Sequence, residues 1–347
     1  MPQFTTDGLF YHSSGLGIPL PSRIYIAGHA ATIINATEGD EALQEAIETV
    51  EPMAGYNGDI QALAGISHNS TELKRNNKRE ADRLFEEKAR KLQKQGRWAE
   101  VFASMDSHIP WKASLAGLSD ATYAFVLKSL TDCLPTQTNL ATWGRVESPH
   151  CLACDHSTQT LLHILNNCSA ALDMYAWRHD NVLLKLEAFL SDHVQDSQVF
   201  VDVVTDVSKN VILVDQSKQT VPLDIVQTPL RPDIVIVKRG ERKVILIELT
   251  IPFETNFVAA SVRKAKRYAP LVADIEMSGY KCEFLSFEFG SRGIPGPGTF
   301  KNLKQICDAS QRDIKNLIKS ISQTVIQCSF VIFLGRNGSH QGLFSIL

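Results

Sequence analysis

Long apolar runs are scarce in this chain. None approaches the length of a membrane span, and the first residues lack the basic-then-apolar pattern of a secretory signal. Both features point away from a membrane. Cysteine is sparse as well, at seven of 347 residues, an odd count that leaves at least one thiol outside any disulfide. Three of the seven sit close together beside a histidine and the others are scattered. That pattern favours a reducing compartment with a metal site over a disulfide framework. No internal repeat is present. A strong charge of one sign is also missing: the net charge is −3, which taken alone argues against a nucleic-acid binder.

What is present qualifies that last exclusion. Residues 231–270 hold nine Lys/Arg against four Asp/Glu, and residues 71–98 hold ten against five, so the remainder is markedly acidic. Charge is segregated, and local basic surface decides phosphate binding more than the total does. An apolar content of 44% and a charged content of 21% are those of a soluble globular protein long enough for two or three domains.

Along the chain, residues 1–70 mix glycine, proline and short apolar segments, with a loop over His12–Pro19 and a short helix over Glu41–Ala54. The polar stretch Ser70–Arg97 predicts a long solvated helix with a thin apolar stripe of Leu73, Leu84, Phe85 and Leu92, its end docked by Trp98. Leu118–Leu134 reads as a buried helix and Asp173–Leu190 as an amphipathic one. Residues 200–230 alternate as a strand pair, Val258–Leu271 forms a helix and Cys282–Phe289 a strand. Ser291–Gly298 is a loop, Asn302–Gln323 a long helix, and Phe330–Leu334 a last strand. The expected fold class is α/β (α+β), with a mixed sheet flanked by helices from about residue 173 onward.

The most telling segment is Arg231–Glu248. Two β-branched runs flank Lys238–Lys243, with Gly240 in the middle, a strong hairpin signal. A two-residue loop at Gly240 and Glu241 pairs Lys238 with Lys243, Val235 with Leu246 and Asp233 with Glu248. Both faces of the hairpin are apolar, so it belongs at the centre of the sheet. Directly opposed side chains lie about 5 Å apart. Two carboxylates at that separation repel unless a proton or a cation intervenes, and Mg²⁺ or Mn²⁺ suits an all-oxygen site. On the following helix Lys264 and Tyr268 are four apart and share a face, while Arg263, Lys266 and Arg267 lie on a neighbouring one. Metal, paired acids and a lysine are the minimal equipment for phosphodiester hydrolysis. A second set, Cys151-x2-Cys154-x8-His163-x4-Cys168, has the spacing of a zinc knuckle, with His150 and His156 as substitutes for His163.

Pro232-Asp233, fourteen intervening residues and Glu248 resemble the PD-(D/E)xK nuclease superfamily. The family's lysine two positions after the glutamate is Thr250 here. In one subgroup that lysine moves to the next helix with a tyrosine four residues on, and Lys264 and Tyr268 resemble that arrangement. The subgroup is the restriction-like endonuclease of site-specific non-long-terminal-repeat retrotransposons. These elements carry a similar Cys-Cys-His-Cys knuckle just before the endonuclease, and Arg178-His179 resembles the Arg-His pair that follows it. Residues 112–150 look like the helical linker that precedes the knuckle. Gly15–Pro19 is weakly similar to the end of a polymerase thumb, but the polymerase Asp-Asp motif is absent.

The resemblance implies a division into a helical region over 1–111, a linker over 112–150, a knuckle over 151–172 and a restriction-like endonuclease over 173–347. It implies a metal-dependent DNA endonuclease, nicking its target to prime reverse transcription. Asp233, Glu248, Lys264 and Tyr268 are then catalytic, with Mg²⁺ or Mn²⁺ on the two acids. Zinc sits on Cys151, Cys154, His163 and Cys168, and Arg263, Lys266, Arg267 and Arg178 meet nucleic acid. The expected partners are target DNA and the element's RNA, with no membrane, and the expected compartment is the nucleus.

Plainer alternatives stand beside these. Asp233 is a turn residue after proline, Glu248 a strand-end salt-bridge partner, Lys264 a surface lysine, Tyr268 a core tyrosine, His179 a helix-surface histidine. Glu254 is a further acid within reach of the metal. The rival functions are a catalytically inactive nucleic-acid-binding module and a protein–protein scaffold in which zinc is only structural.

Overall fold

The computed structural model describes residues 7–37, 41–49, 52–92, 96–103, 105–106, 109, 111–154, 156–203, 205–206, 211–212 and 220–338. The chain divides into two compact units, residues 1–102 and 103–347.

The first unit is helical. It contains α1 (Asp7–Tyr11), α2 (Pro21–Thr37), α3 (Glu41–Glu48), α4 (Asn57–Gly65), α5 (Ser70–Arg90) and the start of α6 (Trp98–Ala103). Ile26, Ala30 and Ile34 of α2 pack with Ile60 and Leu63 of α4 and Leu73 of α5. A reciprocal cap starts α5: Asn69 Oδ1 accepts from the Glu72 amide at 2.9 Å, and Glu72 Oε2 accepts from the His68 amide at 2.9 Å. Its outer face carries Arg83 between Glu80 and Glu87, exposed pairs that solvent screens and that contribute little. This is the solvated helix expected from the sequence, seven residues shorter at its end. Trp98 is fully buried, with its ring against His12.

The second unit is a mixed α/β assembly. It opens with α7 (Asp120–Leu130), capped by Ser119, and α8 (Gln137–Thr142), capped by Thr136. The cysteine segment follows, then α9 (Leu172–His193) and the strands β1 (Gln198–Val201), β2 (Thr205–Asp206), β3 (Val211–Ile212), β4 (Ile234–Lys238) and β5 (Lys243–Thr250). After these come α10 (Phe257–Met277), β6 (Lys281–Glu288), α11 (Thr299–Ile306) and α12 (Gln311–Leu334). The sheet has the order β1-β4-β5-β6; its first two pairings are antiparallel and β5–β6 is parallel. β2 and β3 form a separate short antiparallel pair. Of the strand pair expected over 200–230, residues 204, 207–210 and 213–219 lie outside the described residues.

The hairpin register agrees with the sequence reading: Lys238 pairs with Lys243, Val235 with Leu246 and Ile234 with Ile247. β4 and β5 are the central strands, which explains their apolarity on both faces. Val235, Val237, Val244 and Leu246 pack with Tyr268, Leu271 and Ile275 of α10. Ile234, Ile236, Ile245 and Ile247 pack on the other side with α9, α11 and α12. The helix expected to end near Leu271 runs on through Pro270 to Met277.

The C-terminal region differs from expectation. Asn302–Gln323 is not one helix, because the chain breaks between α11 and α12, where Ser310 caps α12 by accepting from the Asp313 amide at 3.2 Å. Phe330–Leu334 is the last turn of α12, not a strand. An all-round apolar run has no period of its own, and here helix packing decides its form. By length and composition α12 could cross a membrane, contrary to the sequence reading, but 67% of its most apolar window is buried within the unit as core.

Candidate metal centre and acidic strand tip

The cysteine segment brings its four ligand atoms within 4.8 Å of one another. Cys151 Sγ lies 3.9 Å from Cys168 Sγ, which lies 3.7 Å from Cys154 Sγ, and Cys154 Sγ lies 3.3 Å from His163 Nε2. A tetrahedral zinc with Zn–S near 2.3 Å requires S···S edges of about 3.8 Å and S···N edges of about 3.5 Å. The residues fit a metal ion such as zinc.

Local structure explains how they converge. The Cys151 amide donates to the His156 carbonyl at 3.0 Å, closing the first turn of the knuckle. His163 and Cys168 are spaced by a π-helical turn, His163–Asn167. That turn is held from outside: Tyr175 Oη donates to the Ile164 carbonyl at 2.7 Å, and the Cys168 amide donates to Tyr175 Oη at 3.0 Å. Gln159 Nε2 donates to Cys151 Sγ at 3.6 Å. Burial, then His156, lowers the pKa of His163 and keeps it neutral, the form that ligates. Burial pushes the Cys168 thiol up to about 12. His156 stacks on His163 and bonds Thr158, and His150 bonds Ser148, so His163 is the nitrogen in the cluster.

The second site lies at the far end of the hairpin from its turn. Glu248 is in β5 and is 1% exposed. Its Oε1 pairs with Lys264 of α10, and its Oε2 is buried with no hydrogen-bond partner. Burial, then the charge of Asp233, raises the Glu248 pKa, while Lys264 opposes the rise. Asp233 immediately precedes β4. Its Oδ2 accepts from the Leu249 amide at 2.7 Å and from His179 Nε2 at 3.3 Å. Asp233, Glu248 and Lys264 therefore meet at one strand tip, and an orphaned carboxylate oxygen among them is an atom that suits a hard cation. Tyr268 is adjacent: its hydroxyl donates to the Arg231 carbonyl at 2.8 Å, its ring stacks on Phe284, and burial, then Glu248, raises its pKa.

Four further residues stand at the tip: His179, which the sequence marks only through the Arg-His resemblance, and Asp180, Asp202 and Arg231, which carry no predicted role. His179 of α9 reaches Asp233 and Leu249 with Nε2 and Asp180 with Nδ1 at 3.1 Å. Both ring nitrogens face acceptors. Burial alone would lower its pKa, but Asp233 and Asp180 hold it at about 10, so the ring is an imidazolium at neutral pH. The Asp202 amide donates to the Asp233 carbonyl at 2.9 Å, and its carboxylate pairs with Arg231. Burial raises the Asp202 pKa despite that arginine. The local signal was the Arg178-His179-Asp180 triplet; nothing marks Asp202, whose partners lie some thirty residues downstream.

Arg263, Lys266 and Arg267 are exposed on α10, the last stacking over Tyr268. Arg178 is a correction. It is 2% exposed and donates to Ser329 Oγ and the Leu165 carbonyl, both at 2.9 Å, so it cannot contact a phosphate. Glu254 is also spoken for: Arg292 holds it in a buried pair, with Nε at 2.7 Å and the backbone amide at 2.8 Å. Thr250 is buried opposite Glu288 on β6.

Compared with known proteins, the chain matches no family model and no curated sequence.

Proposed function

We propose that the second unit is a retrotransposon-derived, metal-dependent DNA endonuclease that nicks one strand, with the Cys/His centre as its structural zinc site. The observation that carries this reading is the meeting of Asp233, Glu248 and Lys264 at the tip of the two central strands. The strand order, a mixed four-stranded sheet flanked by helices, supports the same reading.

Asp233 and Glu248 would hold Mg²⁺ or Mn²⁺. Bound there, the ion supplies Lewis acidity and a water of lowered pKa. Glu248 offers its unpartnered Oε2, and Lys264 balances its charge and stands beside the position of a scissile phosphate. His179 and the Leu249 amide fix Asp233 through Oδ2, leaving Oδ1 outside those bonds. The exposed Arg263, Lys266 and Arg267 present cations to a DNA backbone, whose binding weakens with salt as counterions compete. Target DNA, the element's RNA and a nuclear address follow from the resemblance alone.

A plasmid-nicking assay with Mg²⁺ and Mn²⁺ tests this, comparing wild type with Asp233→Ala. Nicking by the wild type and at least about a hundredfold less by the variant is the expected outcome, the scale of losing the groups that stabilise transition-state charge. Equal nicking by both removes the site.

One observation favours a second reading, a nucleic-acid-binding module without catalysis. Lys264 closes on Glu248 and His179 on Asp233, so the tip is already charge-compensated without any ion. Salt-sensitive DNA affinity with no cleavage under any divalent ion would establish that module.

A further inference from the structure

The metal centre and the acidic tip are joined by hydrogen bonds, and the join falls on the backbone that holds Asp233. The π-helical turn that carries His163 turns two groups outward. Asn166 Nδ2 donates to the Ile251 carbonyl at 2.8 Å, and the Leu165 carbonyl accepts from Arg178 at 2.9 Å. Ile251 lies two residues beyond Leu249, whose amide donates to Asp233 Oδ2 at 2.7 Å. Arg178 precedes His179, whose Nε2 spans Asp233 Oδ2 and the Leu249 carbonyl, both at 3.3 Å. Two routes therefore run from one turn to one carboxylate: Asn166 through the end of β5, and Arg178 through its neighbour on α9.

Arg178 is fully enclosed and also donates to Ser329 of α12, so its end of the second route is fixed. The turn itself has a π-helical geometry, which is rare, and Tyr175 holds it from outside through the Ile164 carbonyl and the Cys168 amide. Ligation of His163 and of Cys168, the residue after the turn, would fix how far apart they sit.

We propose that Asn166 and the Arg178–His179 pair are positioning residues that transmit the geometry of the Cys/His metal centre to Asp233. This rests on the reading of Asp233 as an ion-holding carboxylate, but the coupling has its own readout. The Leu249 amide is itself the donor to Asp233, so its hydrogen exchange reports that bond directly. Val244, in the hairpin centre, is the internal control.

The experiment is residue-resolved hydrogen exchange on the full chain as purified, after zinc removal by a chelator, and as Asn166→Ala with its zinc content measured. Loss of one buried hydrogen bond corresponds to about a tenfold change in an equilibrium. The expected result is exchange at Leu249 about tenfold faster in zinc-replete Asn166→Ala and at least as fast after chelation, with Val244 unchanged in the variant. Leu249 exchange in Asn166→Ala equal to that of the native protein, or acceleration shared equally by Val244, overturns the proposal. A separate Mn²⁺ titration of the native protein, followed by electron paramagnetic resonance, judges whether Asp233 and Glu248 hold an ion. Failure there sinks the nuclease reading and leaves the exchange result to judge the coupling.

Discussion

Lys264 is the sharpest point at which to perturb the tip. It is the cation paired with Glu248, and the two side chains are 20% and 2% exposed. Removing one partner of a buried pair costs about 3–5 kcal/mol, because the remaining charge has neither water nor a counterion. Lys264 is one-fifth exposed, so Lys264→Ala is expected at the lower end, about 3 kcal/mol at pH 8. In a unit of this size that corresponds to a melting shift of roughly 6–12 °C. The cost should depend on pH in a defined direction. Burial, then Asp233, already raises the Glu248 pKa above the ordinary 4.5, with Lys264 pulling against them. A raised carboxyl pKa means that the folded state keeps a proton that the unfolded chain releases. Stability is then greatest below the ordinary value, falls as pH rises through the window up to the raised value, and is level above it. Removing Lys264 moves that window upward and deepens the fall, so the deficit is full at pH 8 and largely gone at pH 4. The double variant Lys264→Ala with Glu248→Gln carries no stranded charge and should recover most of the loss. A divalent ion seated between Asp233 and Glu248 should rescue the single variant, by about 2.7 kcal/mol at a hundred times its Kd. Urea denaturation at both pH values, with and without Mn²⁺, measures all of this. A single variant within about 1 kcal/mol of wild type at pH 8 would refute the assignment of Glu248 as a buried ionised group.

Three further outcomes are expected. His179 is held at about 10 by Asp233 and Asp180, above its ordinary 6.5, so its contribution is whole below that ordinary value and is lost as pH rises through about 10; His179→Ala should destabilise at pH 6 and converge with wild type above pH 10, and a native imidazole resonance that titrates near 6.5 and is missing from His179→Ala would contradict this. Cys168→Ser should abolish stoichiometric zinc in a colorimetric release assay and remove the chelator sensitivity of the second unit's melting, since a structural zinc contributes about 10 kcal/mol or more. Gly293 has a φ of +79°, and a Cβ there would lie 2.5 Å from Ile326 Cγ1 and 2.7 Å from the Ser322 carbonyl; Gly293→Ala should cost about 2–5 kcal/mol by denaturation, from left-handed strain plus overpacking, and a neutral result would mean that the 290–298 loop can move off α12.

The sheet centre was legible because its signals are local. Two continuous apolar runs about Gly240 fix a register, and one step past the Ile234–Ile247 pair that register sets Asp233 opposite Glu248 without knowledge of the rest of the fold. The cysteine cluster was legible for the same reason, four ligand residues within eighteen positions. What escaped depends on contacts between distant segments. His179 reads only as half of an Arg-His pair or as a helix-surface histidine, and its contact with Asp233 is invisible until α9 is laid against a strand 54 positions later. Arg178 was expected at nucleic acid through the resemblance of its Arg-His pair, yet its guanidinium is buried against Ser329, 151 positions away. The end of α12 has no polar face to reveal its period, so the sequence does not separate strand from buried helix.

The two ends of the central hairpin are chemically unlike, and that has a practical consequence. From Asp233 to Lys238 the strand climbs roughly 17 Å, so the bend at Arg239–Arg242 sits well away from every acid at the tip. A side chain at Gly240 would meet open space. The bend is thus a natural attachment point: a fluorophore or short epitope installed there would ride on the end of the buried central hairpin and leave the acidic tip untouched.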